Sequence, residues 1–221
     1  RWRARLATGR TLGEDEGLQM LGELGLPVIP TRRCQSMADA LAAADQLEYP
    51  VALKTAAGIA HKSDAGGVHL SLVTPDEVAA AYRNLASRLG HDVLVSPMAA
   101  PGVEIGLGAI VDPALGPVIV VSAGGTLIEV LADTACELAP MDAADARAMV
   151  ERLRVSRLLA GVRGKPACDT EALVRTIVRF SAIVAALADV ITEIDINPVI
   201  VSPSGAIAVD ALIVGRKDGN S

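Results

Sequence analysis

The stretch that decides the fold runs from Val51 to Leu72, V-A-L-K-T-A-A-G-I-A-H-K-S-D-A-G-G-V-H-L-S-L. Two short apolar segments, 51–54 and 68–73, read as partner strands around a loop of small residues. The first segment ends in Lys54, and the loop carries His61, Lys62, Ser63, Asp64 and the pair Gly66-Gly67. A strand ending in lysine, followed by a glycine-containing polar loop, suits a polyphosphate. The ammonium is a point charge, the loop offers backbone N–H donors, and glycine lets the backbone approach the ligand. A turn with solvated charges is the alternative reading of the same residues. His61 has three open roles: nucleophile, phosphate hydrogen-bond donor, or plain loop residue. Neutral imidazole near pH 7 permits the first, with Asp64 placed to orient the ring.

Outward from this loop the pattern alternates. Leu18, Leu21 and Leu24 recur at helical spacing and Gly25 supplies a stop. Residues 27–30, P-V-I-P, read as a short strand, and Ser36 caps an Ala-rich helix. Thr74-Pro75-Asp76-Glu77 starts another helix that runs to about Leu89, and 93–95 is the next strand. This β-α-β-β-α-β order over 27–96 describes one α+β unit. Beyond Val103 come longer strand-like segments (103–111, 117–121), a Gly124-Gly125 break, and helices at 142–153 and 169–188. The tail V-I-T-E-I-D-I-N-P-V-I-V, S-P-S-G, A-I-A-V-D-A-L-I-V reads as a strand pair joined by a Pro/Gly turn. The expected organisation is a helical lead-in over 1–26, a first lobe over 27–96, a second over 97–214, and a tail over 215–221.

Within that tail, Glu193, Asp195 and Asn197 alternate with Ile194 and Ile196, which puts the three polar groups on one strand face. Asp210 on the following strand comes within reach if the two pair. Converging carboxylate and amide oxygens suit a hard cation such as Mg²⁺, which takes one or two protein ligands plus phosphate oxygens. A solvated strand face is the other reading, but acids are poor strand formers and here interrupt a very apolar run.

Composition narrows the function classes. Half of the 221 residues are hydrophobic, while Trp2, Tyr49, Tyr82 and Phe180 are the only aromatics, so the core is aliphatic. A net charge of −6 with so few aromatics argues against both the basic face of a duplex binder and the stacking platform of a single-strand binder, while leaving room for a local basic patch. Cys34, Cys136 and Cys168 have no metal or disulfide spacing and point to a reducing, cytoplasmic setting. No apolar run reaches the roughly 20 residues of a membrane span. The start R-W-R-A-R-L-A, with neither Met nor signal-peptide pattern, is expected to be an internal cut of something longer. Two motifs fail on inspection. G-V-R-G-K-P (161–166) is too short for a Walker loop and has Pro166 where Ser or Thr is needed, and G-L-G-A-I-V (106–111) lacks the third glycine of a dinucleotide fingerprint.

The ordered series Y-P-V-A-L-K, H-K-S-D-A-G-G-V, M-A-A-P-G-V-E, D-P-A-L-G-P, G-G-T-L-I-E-V-L-A-D, G-V-R-G-K-P and E-I-D-I-N-P with A-V-D-A resembles the ATP-grasp domain of NDP-forming acyl-CoA synthetases, relatives of succinyl-CoA synthetase and including acetate–CoA ligase (ADP-forming). The resemblance covers residues 16–214. It implies an α+β ATP-grasp fold in which two lobes clamp a nucleotide. Carried over by position, it makes Lys54 the phosphate-contacting lysine, with His61, Lys62 and Ser63 over the phosphates. Ser96 and Ala99 bound the hinge beside adenine, and Glu104 reaches the ribose or phosphate side. Asn197 and Asp210 hold Mg²⁺, with Glu193 and Asp195 as supporting candidates. His61 becomes a phosphate relay between a histidine of the CoA-binding part and ADP. The implied ligands are ATP/ADP and Mg²⁺, with CoA and a carboxylic acid handled by CoA-binding and ligase domains of a parent chain or partner subunit. The implied reaction is acid + CoA + ATP giving acyl-CoA + ADP + phosphate. The chain departs from the family pattern at Leu115, where an aromatic is usual, and at Glu137 in C-E-L-A-P, where arginine is usual. Two further readings share the fold: a nucleotide-binding regulatory module of an acetyltransferase fusion, and a carboxylate–amine ligase, which has no need of His61.

Overall fold

Helix starts in this chain are written locally. Ser36 Oγ accepts the Asp39 N–H, Thr74 Oγ1 accepts that of Glu77 ahead of Pro75, and Asp169 Oδ1 accepts that of Ala172. Asp142 accepts from Ala144 and Asp145 while Asp145 reaches back to the Asp142 N–H, a reciprocal capping box. The computed structural model describes residues 1–57, 62, 65–125, 133–162 and 164–217. Its helices are α1 (Trp2–Leu6), α2 (Glu14–Glu23), α3 (Met37–Leu47), α4 (Pro75–Leu89), α5 (Ala143–Arg152), α6 (Ser156–Leu159) and α7 (Thr170–Leu187). Its strands are β1 (Thr11–Leu12), β2 (Arg32–Cys34), β3 (Val51–Thr55), β4 (Val68–Leu72), β5 (Val93–Pro97), β6 (Val103–Asp112), β7 (Gly116–Ala123), β8 (Thr134–Leu138), β9 (Ile191–Ser202), β10 (Gly205–Ala208) and β11 (Leu212–Gly215). Among the described residues no helix is long and apolar enough to cross a membrane.

The chain divides into two compact units, Ile29–Ala99 and a second made of Arg1–Val28 with Ala100–Ser221. The smaller carries a four-stranded sheet ordered β2-β5-β3-β4, with all pairs antiparallel. One face packs Val51, Leu53, Val93 and Val95 against Ala40 and Ala44 of α3 and Val78, Tyr82 and Leu85 of α4. Alanines on α3 let that helix lie close to the sheet, which is how a core almost free of aromatics closes. Ala52, Lys54, Leu94 and Ser96 share the opposite face through the pairs Ala52–Ser96 and Lys54–Leu94, and they are buried as well.

The larger unit holds a seven-stranded sheet along β1-β11-β9-β6-β7-β8, with β10 also paired to β9. Alternation along its strands sends Ile105, Leu107, Ala109, Ile119, Val121, Ile194 and Ile196 to one buried face. Leu173, Val174, Ile177, Phe180, Val184 and Leu187 recur every three or four residues on α7, and that apolar stripe covers β7, β9 and β10. Phe180 is fully buried, a position where truncation to alanine costs about 3–5 kcal/mol.

Residues 1–26 are not a separate lead-in. They belong to the larger unit, because β1 adds to the sheet edge at β11 (Thr11 opposite Val214) and Leu6, Leu12, Leu18 and Leu21 are buried there. Trp2 is nearly buried, donates its indole N–H to Glu23 at 2.6 Å, and has the Arg1 guanidinium 4.5 Å from its ring centre. The strand expected at 27–30 is also displaced. Pro27 and Pro30 have no N–H to give a ladder, so only an isolated bridge forms between Val28 and Ala208, and the strand proper is Arg32–Cys34.

Candidate functional site

In the larger unit the polar residues of the tail converge on one gap in the sheet. Strand β9 pairs with β10 from Val199 opposite Ala208, and with β11 from Asp195 opposite Leu212. Both pairs belong to one register, so Asp210 falls directly across from Asn197 in the three-residue interruption between β10 and β11. The Val209 N–H still reaches the Pro198 carbonyl at 3.1 Å, which keeps the interrupted segment against β9. Asn197 and Asp210 are both half-buried.

A third segment reaches the same place. The Gly125 N–H donates to Asn197 Oδ1 at 3.3 Å, across 72 residues of sequence. The Gly124 N–H donates to the Glu104 carbonyl at 2.8 Å. Gly125 has φ +60°, and a Cβ there would stand 1.8 Å from Glu104 Oε2. Only glycine leaves the Glu104 carboxylate its position over this turn. Glu104, Gly125 and Asn197, drawn from β6, the turn after β7, and β9, are thus linked, and Asp210 in the β10–β11 gap lies across from Asn197 in register.

Asp195 and Glu193 occupy the next positions along the same face of β9, opposite Gly108 and Ile110 of β6. At about 3.4 Å per residue Asp195 lies about 7 Å, and Glu193 about 14 Å, from Asn197 along the strand. Glu193 is thus out of reach of an ion held between Asn197 and Asp210, a separation that period-two alternation by itself conceals. The sheet surface removes part of the water around Asp195, and the Glu193 charge repels its own; both raise the Asp195 pKa. Among the described residues no three His, Cys, Asp or Glu side chains gather as a closed metal cage. A hard cation that completes its shell with phosphate oxygens and water needs no such cage. An amide oxygen on Asn197 and a carboxylate on Asp210, carried at opposed positions of neighbouring segments, are a donor set that fits Mg²⁺.

In the smaller unit Lys54 is only 8% exposed and lies between Leu94 of β5 and Val68 of β4. Ser96 is buried on the same sheet face, and Ala99, half-buried, is the last residue before the chain leaves this unit. The loop after β3 closes through its backbone: the Gly67 N–H donates to the Lys62 carbonyl at 2.7 Å, and the Thr55 N–H to the Gly67 carbonyl at 2.8 Å. Lys62 is half-buried beside this closure. His61, Ser63 and Asp64 lie outside the described residues.

Some contributors have no signal in residue spacing. Arg88, near the end of α4, donates to the Ala65 carbonyl at 2.7 Å and the Gly66 carbonyl at 3.5 Å, and also to Asn84 Oδ1 at 3.2 Å. Buried Asp133 accepts the N–H groups of Arg154 and Val155, both at 2.8 Å, and so ties the start of β8 to the turn before α6. Glu137 of β8 pairs with Arg152 of α5 at 3.9 Å.

Residues 3–214 match the ATP-grasp domain family. The chain belongs to that family. This ATP-grasp domain is 38% identical over 223 residues to the acetate–CoA ligase [ADP-forming] II subunit beta of Pyrococcus furiosus, covering 95% of this chain and 94% of the subunit. It is 35% identical over 201 residues to the 4-hydroxybutyrate–CoA ligase [ADP-forming] of Nitrosopumilus maritimus, covering 87% of this chain but 29% of that longer protein. Among solved structures, the dinucleotide forming acetyl-coenzyme A synthetase 1 of Ca. Korarchaeum cryptofilum superposes with a TM-score of 0.81 at 34% identity and 93% coverage of both chains. That structure holds coenzyme A and Mg-AMPPCP, with a phosphohistidine segment pointing towards the nucleotide binding site.

Proposed function

We propose that this chain is the nucleotide-binding ATP-grasp module of an ADP-forming acyl-CoA synthetase. Its share of the reaction is phosphoryl exchange between ATP/ADP and a histidine. The observation that carries the reading is the register that sets Asp210 against Asn197 in the interruption between β10 and β11 alongside β9, with Gly125 and Glu104 closing the third side. Such an arrangement of oxygens suits a cation bridging to phosphate. In this reading Asn197 and Asp210 would hold Mg²⁺, which supplies charge neutralisation for the moving phosphoryl group when bound.

The chain's own residues do the rest. Lys54, held in a buried sheet position, aims a desolvated ammonium at phosphate, where a charge-assisted bond is stronger than in water. Lys62 and the backbone of the closing loop add donors. Ser96 and Ala99 line the nucleotide at its adenine end, and Glu104 contacts the ribose or phosphate side. His61 is the relay: it accepts the phosphoryl group on a ring nitrogen from a partner histidine and yields it to ADP. CoA and the carboxylic acid belong to CoA-binding and ligase domains, in a partner subunit or parent chain. The three cysteines are free, in keeping with a reducing, cytoplasmic setting.

The test is phosphoryl transfer between ATP and the CoA-binding partner or parent protein. The reading expects acid-labile phosphate on His61 and loss of turnover by orders of magnitude in His61→Asn, with nucleotide binding retained. Normal turnover by His61→Asn would overturn the relay.

A further inference from the structure

Arg88 is exposed, is 23 residues from Ala65 in sequence, and among the described residues its hydrogen-bond partners include no acid. Its guanidinium instead spans two successive carbonyls of the limb by which the β3–β4 loop returns to the sheet, Ala65 at 2.7 Å and Gly66 at 3.5 Å. Gly66 takes φ +63°, and a Cβ on it would come within 3.2 Å of Arg88 Nη2. The fork is therefore seated over a glycine that leaves it room, and lysine, with one compact ammonium, has no equivalent reach to both oxygens.

The arginine is itself held from behind. Asn84, one helical turn earlier on α4, presents Oδ1 to Arg88 Nη1 at 3.2 Å and to His69 Nε2 at 3.3 Å. Arginine only donates, so the Asn84 atom facing it is the amide oxygen. His69 Nε2 meets that same oxygen and must carry a proton to do so. Asn84 Oδ1 thus accepts twice, once from β4 and once from α4, which fixes the guanidinium relative to the sheet. From there the chain of contacts runs through 65–66 to Gly67, whose N–H holds the Lys62 carbonyl and whose carbonyl takes the Thr55 N–H beside Lys54.

The geometry points to Arg88 as a positioning residue for the phosphate end of the nucleotide site, acting through the 65–67 limb on Lys62 and Lys54. This rests on the nucleotide reading given above. Arg88 touches no ligand in this role. It sets where the 65–67 limb sits, and Asn84 and His69 set where Arg88 sits.

Two measurements on the chain as it stands test this. Calorimetry with MgATP and with adenosine separates the phosphate end from the base end. Arg88→Ala weakens MgATP about five- to tenfold with adenosine affinity unchanged, Arg88→Lys recovers part of the loss, and Gly66→Ala reproduces it without adding to it in the double variant. Amide exchange reads the limb directly: Arg88→Ala accelerates exchange at Gly67 several-fold while amides in the middle of β3 and β5 stay protected. Equal weakening of MgATP and adenosine, or unchanged MgATP affinity with a loosened Gly67 amide, would make Arg88 a surface brace only and overturn the inference. Lys54→Ala is the control: if it leaves MgATP binding intact, the nucleotide reading fails. If Lys54 matters and Arg88 does not, only the positioning role fails.

Discussion

Asp210 stands directly across the sheet from Asn197, on a register that is carried unbroken from the Ala208–Val199 pair to the Leu212–Asp195 pair. Strand assignment is interrupted between those pairs, so two residues with side-chain oxygens hold opposed positions where β10 has ended and β11 has not begun.

If that meeting point holds the cation, alanine at Asn197 or at Asp210 weakens MgATP at least tenfold more than metal-free ATP, because both residues act through the ion. Titration calorimetry with and without Mg²⁺ separates the two. Equal weakening of both forms would make the gap a packing feature.

Lys54→Ala is expected to weaken ATP binding at least tenfold. A charged hydrogen bond to phosphate contributes about 1.5–3 kcal/mol, and the lysine is nearly buried on its sheet. Unchanged affinity in calorimetry would remove Lys54 from the site.

Gly125→Ala combines a left-handed φ with a Cβ 1.8 Å from Glu104 Oε2. The variant is expected to lose about 1–3 kcal/mol of stability in denaturant unfolding, as overpacked positions do. Shortening the neighbour as well, in Gly125→Ala/Glu104→Ala, returns part of that loss while nucleotide affinity stays low. Strictly additive losses would show that the two residues do not share this space.

Asp112 supplies the pH-dependent case. Its Oδ1 accepts the N–H groups of Ala114 and Leu115, both at 2.8 Å, in the β6–β7 turn, and these bonds hold its carboxyl below the ordinary value of 3.8. A depressed carboxyl stabilises the fold above its unfolded pKa and loses that contribution as pH falls through its folded pKa. Asp112→Ala therefore melts below wild type at pH 7, and the gap narrows as pH drops below 3.8. A gap independent of pH in thermal melts would contradict the hydrogen-bonded carboxylate.

How much of this was legible in the sequence divides along the range of the interactions. Helices announced themselves through Ser36, Thr74-Pro75, Asp142 and Asp169, whose caps act within three residues. The shared face of Asp195 and Asn197 follows from period-two alternation, and the Pro/Gly turn at 202–205 brings the next segment back along β9; that segment is not the single strand expected, because it breaks into β10 and β11 with Asp210 in the interruption. Period two does not say how far along that face one ion reaches, so it groups Glu193 with a residue about 14 Å away. Pairing between distant segments was equally invisible. Nothing in T-L at 11–12 names Val214 as a partner, and P-V-I-P has the apolar content of a strand without its donors. Arg88 was missed for the same reason, since its contacts at Ala65 and Gly66 have no periodic relation to it. Gly124-Gly125 read only as a break in a strand, and the clearance it gives Glu104 emerges once β6 and the end of β7 lie side by side.

The sole tryptophan sits at a seam: Trp2 lies nearly buried under Arg1 and Arg5, its ring nitrogen bound to Glu23. Intrinsic fluorescence of the chain is therefore a spectroscopic tag on the docking of its first helix. A red shift in emission marks water reaching that indole, and during melting it times the release of the N-terminal segment against the loss of helical ellipticity from the rest.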